Sequence, residues 1–215
     1  PPRFLFEGSF MDTKDTKKEQ IRAGIVSAAQ SYSAHLTNRV FLYVFGEEYI
    51  EVMFRADDFL HLTGVDTRLF AKDFYSISRK AQLGLSQFFF KQQHPFELVK
   101  KKIPCLMRLH ELTNRDVIIL KDLSTGSLVY KIALTNLEFT IGMYEKDGMY
   151  SPQTLRVKDK TVERSAQGEV VDFIFERQYN EPKYKTCTFS DPAKTIPDCV
   201  RDMLELDATG DGDST

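Results

Sequence analysis

The segment Arg39-Val40-Phe41-Leu42-Tyr43-Val44-Phe45 is β-branched or aromatic at every position after the first except Leu42, with no polar break. A strand with one wet face alternates apolar and polar residues. A run like this predicts a strand buried on both faces or nearly so. Gly46-Glu47-Glu48 makes a turn, and Tyr49 to Phe54 forms a second strand, so the pair predicts a hairpin. Upstream, Lys14 to Leu36 reads as a helix, with Ile21, Ile25, Ala28, Tyr32 and Leu36 on one apolar face. Asp15 or Thr16 can cap it, and Glu19 supports the cap.

Residues 71–113 read as helix in pieces. Phe70, Phe74 and Ile77 share a face, and a short Phe-rich helix begins at Leu85-Ser86. Pro95 suits a first helical turn, and Pro104 is expected to break the helix or restart it. Strand patterns then return at Val117 to Leu120, Leu128 to Leu134 and Phe139 to Tyr144, with a turn at 124–127. Two more strands are expected at Val170 to Glu176 and Tyr184 to Phe189, at spacings that suit hairpins. Thr195, with Asp198 three residues on, is expected to open a closing helix through Ile196, Val200 and Met203. This order predicts an α+β protein with helices packed on an antiparallel β-sheet.

At 215 residues, with no internal repeat and no Gly/Ser linker, the chain is expected to hold one domain over 14–206. Residues 1–13 are expected to be a leader outside it, added or disordered, and 207–215 an acidic flexible tail. Residues 201–215 carry −4 of a formal net charge of −2, which leaves the body mildly basic. No apolar run approaches the roughly 18 residues a membrane span needs. Three scattered cysteines form neither a disulfide framework nor a CxxC knuckle, so a cytoplasmic setting is expected.

The sequence lacks a GxxxxGK[ST] phosphate loop, a GxGxxG turn, HExxH and GxSxG. The four histidines, His35, His61, His94 and His110, have no metal-ligand spacing. An enzyme built from this chain is expected to work without metal or cofactor, by acid–base chemistry and electrostatic stabilisation.

Four constellations remain. His61 comes after the hairpin between apolar neighbours, with Thr63 two residues on and Gly64 to turn the chain. It suits proton transfer near neutral pH and equally a core role bonded to a backbone carbonyl. Lys72, Tyr75 and Arg79 lie at i, i+3 and i+7, one helical stripe able to face a phosphate or simply water. Tyr150, Ser151, Thr154, Arg156 and Lys158 gather around Pro152; Thr154, Arg156 and Lys158 share one face if extended. Arg is the bidentate partner of phosphate, though the same segment suits a charged edge strand. Lys100-Lys101-Lys102 reads as a solvated helix end, and Tyr179, Lys183, Tyr184 and Lys185 mix aromatic and basic residues as single-strand binders and ordinary hairpins both do.

Three stretches together resemble a known family: Phe54-Arg55-Ala56-Asp57-Asp58-Phe59-Leu60-His61-Leu62-Thr63-Gly64-Val65, Ala71-Lys72-Asp73-Phe74-Tyr75, and Tyr150-Ser151-Pro152-Gln153-Thr154-Leu155-Arg156-Val157. The sequence is similar to the fourth family of phage barnase–EndoU–colicin–RelE-like nucleases, over roughly residues 14–190. The resemblance implies a core like that of barnase and RelE, and a toxin-like, metal-independent endoribonuclease of phage or mobile-element origin. It implies attack of a ribose 2′-hydroxyl on the adjacent phosphate, leaving a 2′,3′-cyclic phosphate. It makes His61 the general base or acid and Arg156 the phosphate ligand, with Thr154 donating a hydrogen bond. Tyr75 and Arg79 complete the pocket, Thr63 holds substrate or orients His61, and Tyr150, Ser151 and Lys158 stand by as substrate contacts. RNA is the implied partner, and a net charge of −2 requires a local basic groove to receive it. The alternative is a non-catalytic binding module of the same fold, or a phage-encoded inhibitor of a host protein, with a protein as partner. A solvent-open cleft gathering His61, Arg156 and one of Tyr75, Arg79 or Thr154 favours the nuclease, whereas a buried, backbone-bonded His61 favours the binding module.

Overall fold

The computed structural model describes residues 13–124, 128–157 and 168–205. In chain order these form α1 (Thr13–His35), β1 (Arg39–Phe45), β2 (Glu48–Met53), α2 (Asp58–Thr63), β3 (Asp66–Thr67), α3 (Ala71–Arg79), β4 (Phe88–Phe89) and α4 (Phe96–Met107). Then come β5 (Ile118–Ser124), β6 (Val129–Thr135), β7 (Phe139–Lys146), β8 (Met149–Val157), β9 (Gly168–Val170), β10 (Phe173–Gln178), β11 (Thr186–Ser190) and α5 (Asp198–Arg201). Single 3₁₀ segments cover Leu85–Gln87 and Leu109–Thr113. The expected leader and acidic tail lie almost wholly outside the described residues.

Among the described residues nine strands make one sheet, ordered β11-β10-β1-β2-β8-β7-β6-β5-β9. Every neighbouring pair is antiparallel except β2 and β8, which meet in parallel at Val52 and Tyr150. This is the expected α+β architecture. β1 sits near the middle of one half, with Phe41, Tyr43 and Phe45 packed into the helix-covered core. Its other face, Val40, Leu42 and Val44, lies alongside Phe173 and Phe175 of β10 and packs in one cluster with Tyr184 and Val200 from the C-terminal segment. The unbroken apolar run therefore has a partner on each side. The sheet also rolls. Val171 N–H bonds Val117 O at 2.9 Å and Asp172 N–H bonds Val44 O at 2.8 Å, so two adjacent residues tie β5 to β1.

Helices α1 to α4 share the helix-side core, where Ile21, Ile25, Phe54, Phe59, Phe74, Val99 and Leu155 are all buried. Several expectations are corrected here. The Phe-rich helix at Leu85 is one 3₁₀ turn leading into β4, because Phe88 pairs with Thr67 across a two-stranded ribbon. Pro104 lies inside α4 without breaking it, since Val99, Ile103 and Leu106 anchor both sides of the proline in the core. The segment around Pro152 is central, between β2 and β7, and not an edge strand; its irregularity is absorbed by a register shift at Gly142/Met143. Lys102 is buried, in place of the expected solvated helix end, while Lys100 and Lys101 are exposed. The closing helix is four residues long and is entered from Pro197, not capped by Thr195.

Gly64 ends α2 with φ +75, a left-handed conformation that disfavours a side chain. A Cβ there would also stand 3.1 Å from Lys102 Cδ. Gly64→Ala is expected to cost about 1–2 kcal/mol in chemical denaturation; a neutral result would contradict this account of the turn.

Candidate nucleic-acid cleft

The site begins where β2 runs out. After Met53 the chain turns through Phe54 to Asp57 into α2, and the turn is held from three directions. Arg55 N–H donates to Asp58 Oδ2 at 3.0 Å, and Asp58 N–H returns a bond to Arg55 O at 3.2 Å. From α1, Tyr32 Oη donates to Arg55 O at 3.0 Å. From the sheet, Arg55 Nη1 donates to Ser151 Oγ at 2.9 Å, and Ser151 Oγ donates to Met53 O at 3.1 Å. Tyr144 Oη on β7 donates to Asp58 Oδ1 at 3.1 Å. Short polar residues before a helix usually bond its own backbone. Here the acid is instead drawn inward and shared with the sheet.

Asp58 is 4 % exposed. Burial pushes its carboxyl up to about 6, against the opposing pull of the Arg55 N–H and the Tyr144 hydroxyl. Tyr144 is itself raised, first by burial and then by the Asp58 charge. The stability consequence has a definite sign. Between the unfolded and folded values, roughly pH 4 to 6, the native chain keeps a proton on Asp58 that the unfolded chain has released. Stability from this group is therefore lost as pH rises through that window, by up to about 3 kcal/mol. Glu19, Asp66, Glu111 and Glu181 are lowered and act in the opposite sense, so a difference measurement is needed. Relative to Asp58→Asn, the wild type is expected to lose about 2–3 kcal/mol between about pH 4 and 7 in denaturant titrations. A difference that stays flat with pH would contradict the raised value.

Two clefts flank this turn. The first, of about 510 Å³, is walled by the end of α1, the β2–α2 turn, α3 and Tyr179. Arg55, Lys72, Tyr75 and Arg79 line it, so the helical stripe anticipated on α3 faces this space. Lys72 and Arg79 are exposed, and neither is paired with a carboxylate among the described residues. Tyr75 is 6 % exposed, and its hydroxyl has no hydrogen-bond partner among the described residues. A buried hydroxyl without a partner costs about 1–3 kcal/mol. The second cleft, of about 400 Å³, is lined by His61, Asp58, Ala71, Tyr144, Pro152 and Gln153, and shares Asp57 with the first. His61 is exposed there and makes no hydrogen bond to a described residue, so the core-histidine reading does not hold.

The remaining candidates are not brought into these two spaces. Thr63 is fully buried; its Oγ1 donates to Leu60 O at 2.7 Å and accepts from Val65 N–H at 3.2 Å. It closes the end of α2 and has no proton left for substrate. Ser151 is fully buried too, and it holds Arg55. Tyr150 lines a third depression that shares Tyr144 and Gln153 with the second. Thr154 and Arg156 line neither main cleft. They sit opposite Gly142 and Thr140 on β7, the alternate positions to core-facing Leu155. Lys102, kept below its usual range first by burial and then by the Arg156 charge, lies close to Arg156 and against Gly64. Lys158 lies outside the described residues. Sequence reasoning missed Arg55, Asp58 and Tyr144. The first two stand inside the stretch that carries the family resemblance, the one signal that could have singled them out.

No group of three His, Cys, Asp or Glu side chains among the described residues is arranged to hold a metal ion. No described helix is long and apolar enough to cross a membrane.

A family model described as phage-Barnase-EndoU-ColicinE5/D-RelE like nuclease4 matches residues 24–192. The chain belongs to this nuclease family. The match runs from the middle of α1 to just past β11, and so takes in both clefts and every element that builds them. No curated protein and no solved structure matches the chain. As a member of this family the chain is a nuclease and its substrate is nucleic acid. Asp57 lines both clefts, so cations stand on one side of this turn and a buried carboxyl with an open imidazole on the other.

Proposed function

We propose that the chain is an endoribonuclease that cuts RNA by 2′-hydroxyl attack and needs no metal ion. The observation that carries this reading is that Asp57 lines both the cleft holding Arg55, Lys72 and Arg79 and the cleft holding His61 and Asp58. In this reading the 2′-oxygen bonds to phosphorus as the bond from phosphorus to the 5′-oxygen breaks. One of His61 and Asp58 takes the 2′-hydroxyl proton and the other gives a proton to the departing 5′-oxygen. A carboxyl raised to about 6 suits either part near neutral pH. Arg55, Lys72 and Arg79 balance the charge that builds on the phosphorane. Tyr144 and Ser151 act by holding Asp58 and Arg55. Arg156 and Thr154 have no part at the reacting phosphate in this scheme.

The test is RNA cleavage in EDTA with analysis of the product ends. The proposal expects 2′,3′-cyclic phosphate and 5′-hydroxyl ends. Folded wild type that leaves single-stranded, structured and transfer RNA intact, or that cuts only with added metal, would overturn it in favour of a non-catalytic binding module or a different nuclease chemistry.

A further inference from the structure

Tyr179 is 58 % exposed, yet its position is tightly held. Its N–H bonds Asn38 O at 2.9 Å at the end of α1. Arg177 Nη1 donates to Tyr179 O at 3.2 Å and to Glu181 O at 2.8 Å. Arg177 is in turn fixed by Glu51 at 3.4 Å and by the ring of Tyr184, whose centroid is 5.2 Å from the guanidinium carbon. The phenol of Tyr184 donates to Glu51 as well. A partly buried ionic network thus anchors a turn whose one large side chain is left facing solvent, inside the cleft that holds Lys72 and Arg79. One isolated ring beside unpaired cations does not make the contiguous apolar patch of a protein-binding surface. It matches a strand-binding groove, where cations track the backbone and aromatic faces receive unpaired bases. Bases stacked inside a duplex are not available to such rings.

We infer that this cleft selects single-stranded over duplex RNA, with one base stacked on Tyr179. The inference rests on the ribonuclease reading of the same cleft and adds what the substrate must look like.

The probe is a fluorescein-labelled 2′-O-methyl RNA, which cannot be cut because its nucleophile is blocked. It is offered to the full chain as a single strand and as a duplex of equal length, with binding read by anisotropy. The single strand is expected to bind about tenfold more tightly than the duplex. Tyr179→Ala is expected to weaken single-strand binding about tenfold and leave duplex binding unchanged. Tyr179→Trp is expected to preserve it; thermal melts show that each variant folds. Equal binding of the two forms, or a Tyr179→Ala variant that binds like wild type, would overturn the inference. If wild type still cuts RNA in that case, the ribonuclease reading survives. If folded wild type neither binds nor cuts RNA, both fall.

Discussion

His61→Ala is expected to lower RNA cleavage by about 10²- to 10⁴-fold, the range for loss of one proton-transferring group. The same substitution is expected to leave the thermal midpoint unchanged to within about a degree. The two halves of this prediction come from one observation. His61 is exposed on the last turn of α2, makes no hydrogen bond to a described residue, and lines the cleft that also holds Asp58. A side chain with no structural partner has little stability to lose, so a large rate effect without a stability effect points to chemistry. Rates and melts on one preparation check it. A His61→Ala variant that cuts at the wild-type rate would remove the imidazole from the mechanism and leave Asp58 to act with another group.

Phe59→Ala is expected to cost about 3–5 kcal/mol, a large share of the 5–15 kcal/mol that a domain ordinarily has. Phe59 is fully buried beneath both clefts. Its ring centroid lies 5.3 Å from Tyr32, 5.4 Å from Tyr75 and 6.4 Å from Phe74, which places it at the centre of an aromatic cluster drawn from α1, α2 and α3. Truncation removes those ring contacts and opens a cavity that three helices would have to close together. The expected fall in melting temperature is about 10 °C for a chain of this length. Cleavage is expected to fall even where the variant remains folded, because Tyr75 and Tyr32 lose the ring that sets their positions. Phe59→Leu, which keeps most of the volume, is expected to cost about 1–2 kcal/mol. A Phe59→Ala cost below about 1 kcal/mol would show that this cluster is not what ties α2 and α3 to the core.

How far a residue's place can be read from the sequence depends on the kind of interaction that holds it. β1 is legible because burial on both faces leaves no polar position. The stripe of Lys72, Tyr75 and Arg79 is legible because helical spacing alone puts those residues on one side. The hydroxyls of Thr63 and Ser151 read as substrate groups, but their partners, Leu60 O, Val65 N–H, Met53 O and Arg55, depend on backbone paths that no spacing encodes. Asp58 is hidden for a related reason. Next to Asp57 before a helix it looks like a solvated cap, and only the arrival of Tyr144 from 86 residues away makes it a buried acid. Lys102 is misread because a run of three lysines says nothing of which one points inward. Arg156 is expected beside His61 because both belong to stretches that resemble the family. Those stretches do meet, at Arg55 and Ser151 and in the cleft that His61 shares with Pro152 and Gln153, but Arg156 stands further along β8, near Lys102, which packs against Gly64.

A site that uses the 2′-hydroxyl as its nucleophile cuts only where a ribose stands. A DNA oligonucleotide carrying a single ribonucleotide, incubated in EDTA with wild type, His61→Ala and Arg79→Ala, separates that chemistry from any other. One cut by wild type is expected, immediately 3′ of the ribose and ending in a cyclic phosphate, with a loss of about 100-fold or more in each folded variant. Cutting of an all-deoxy strand, or a folded Arg79→Ala variant that cuts as fast as wild type, would contradict it.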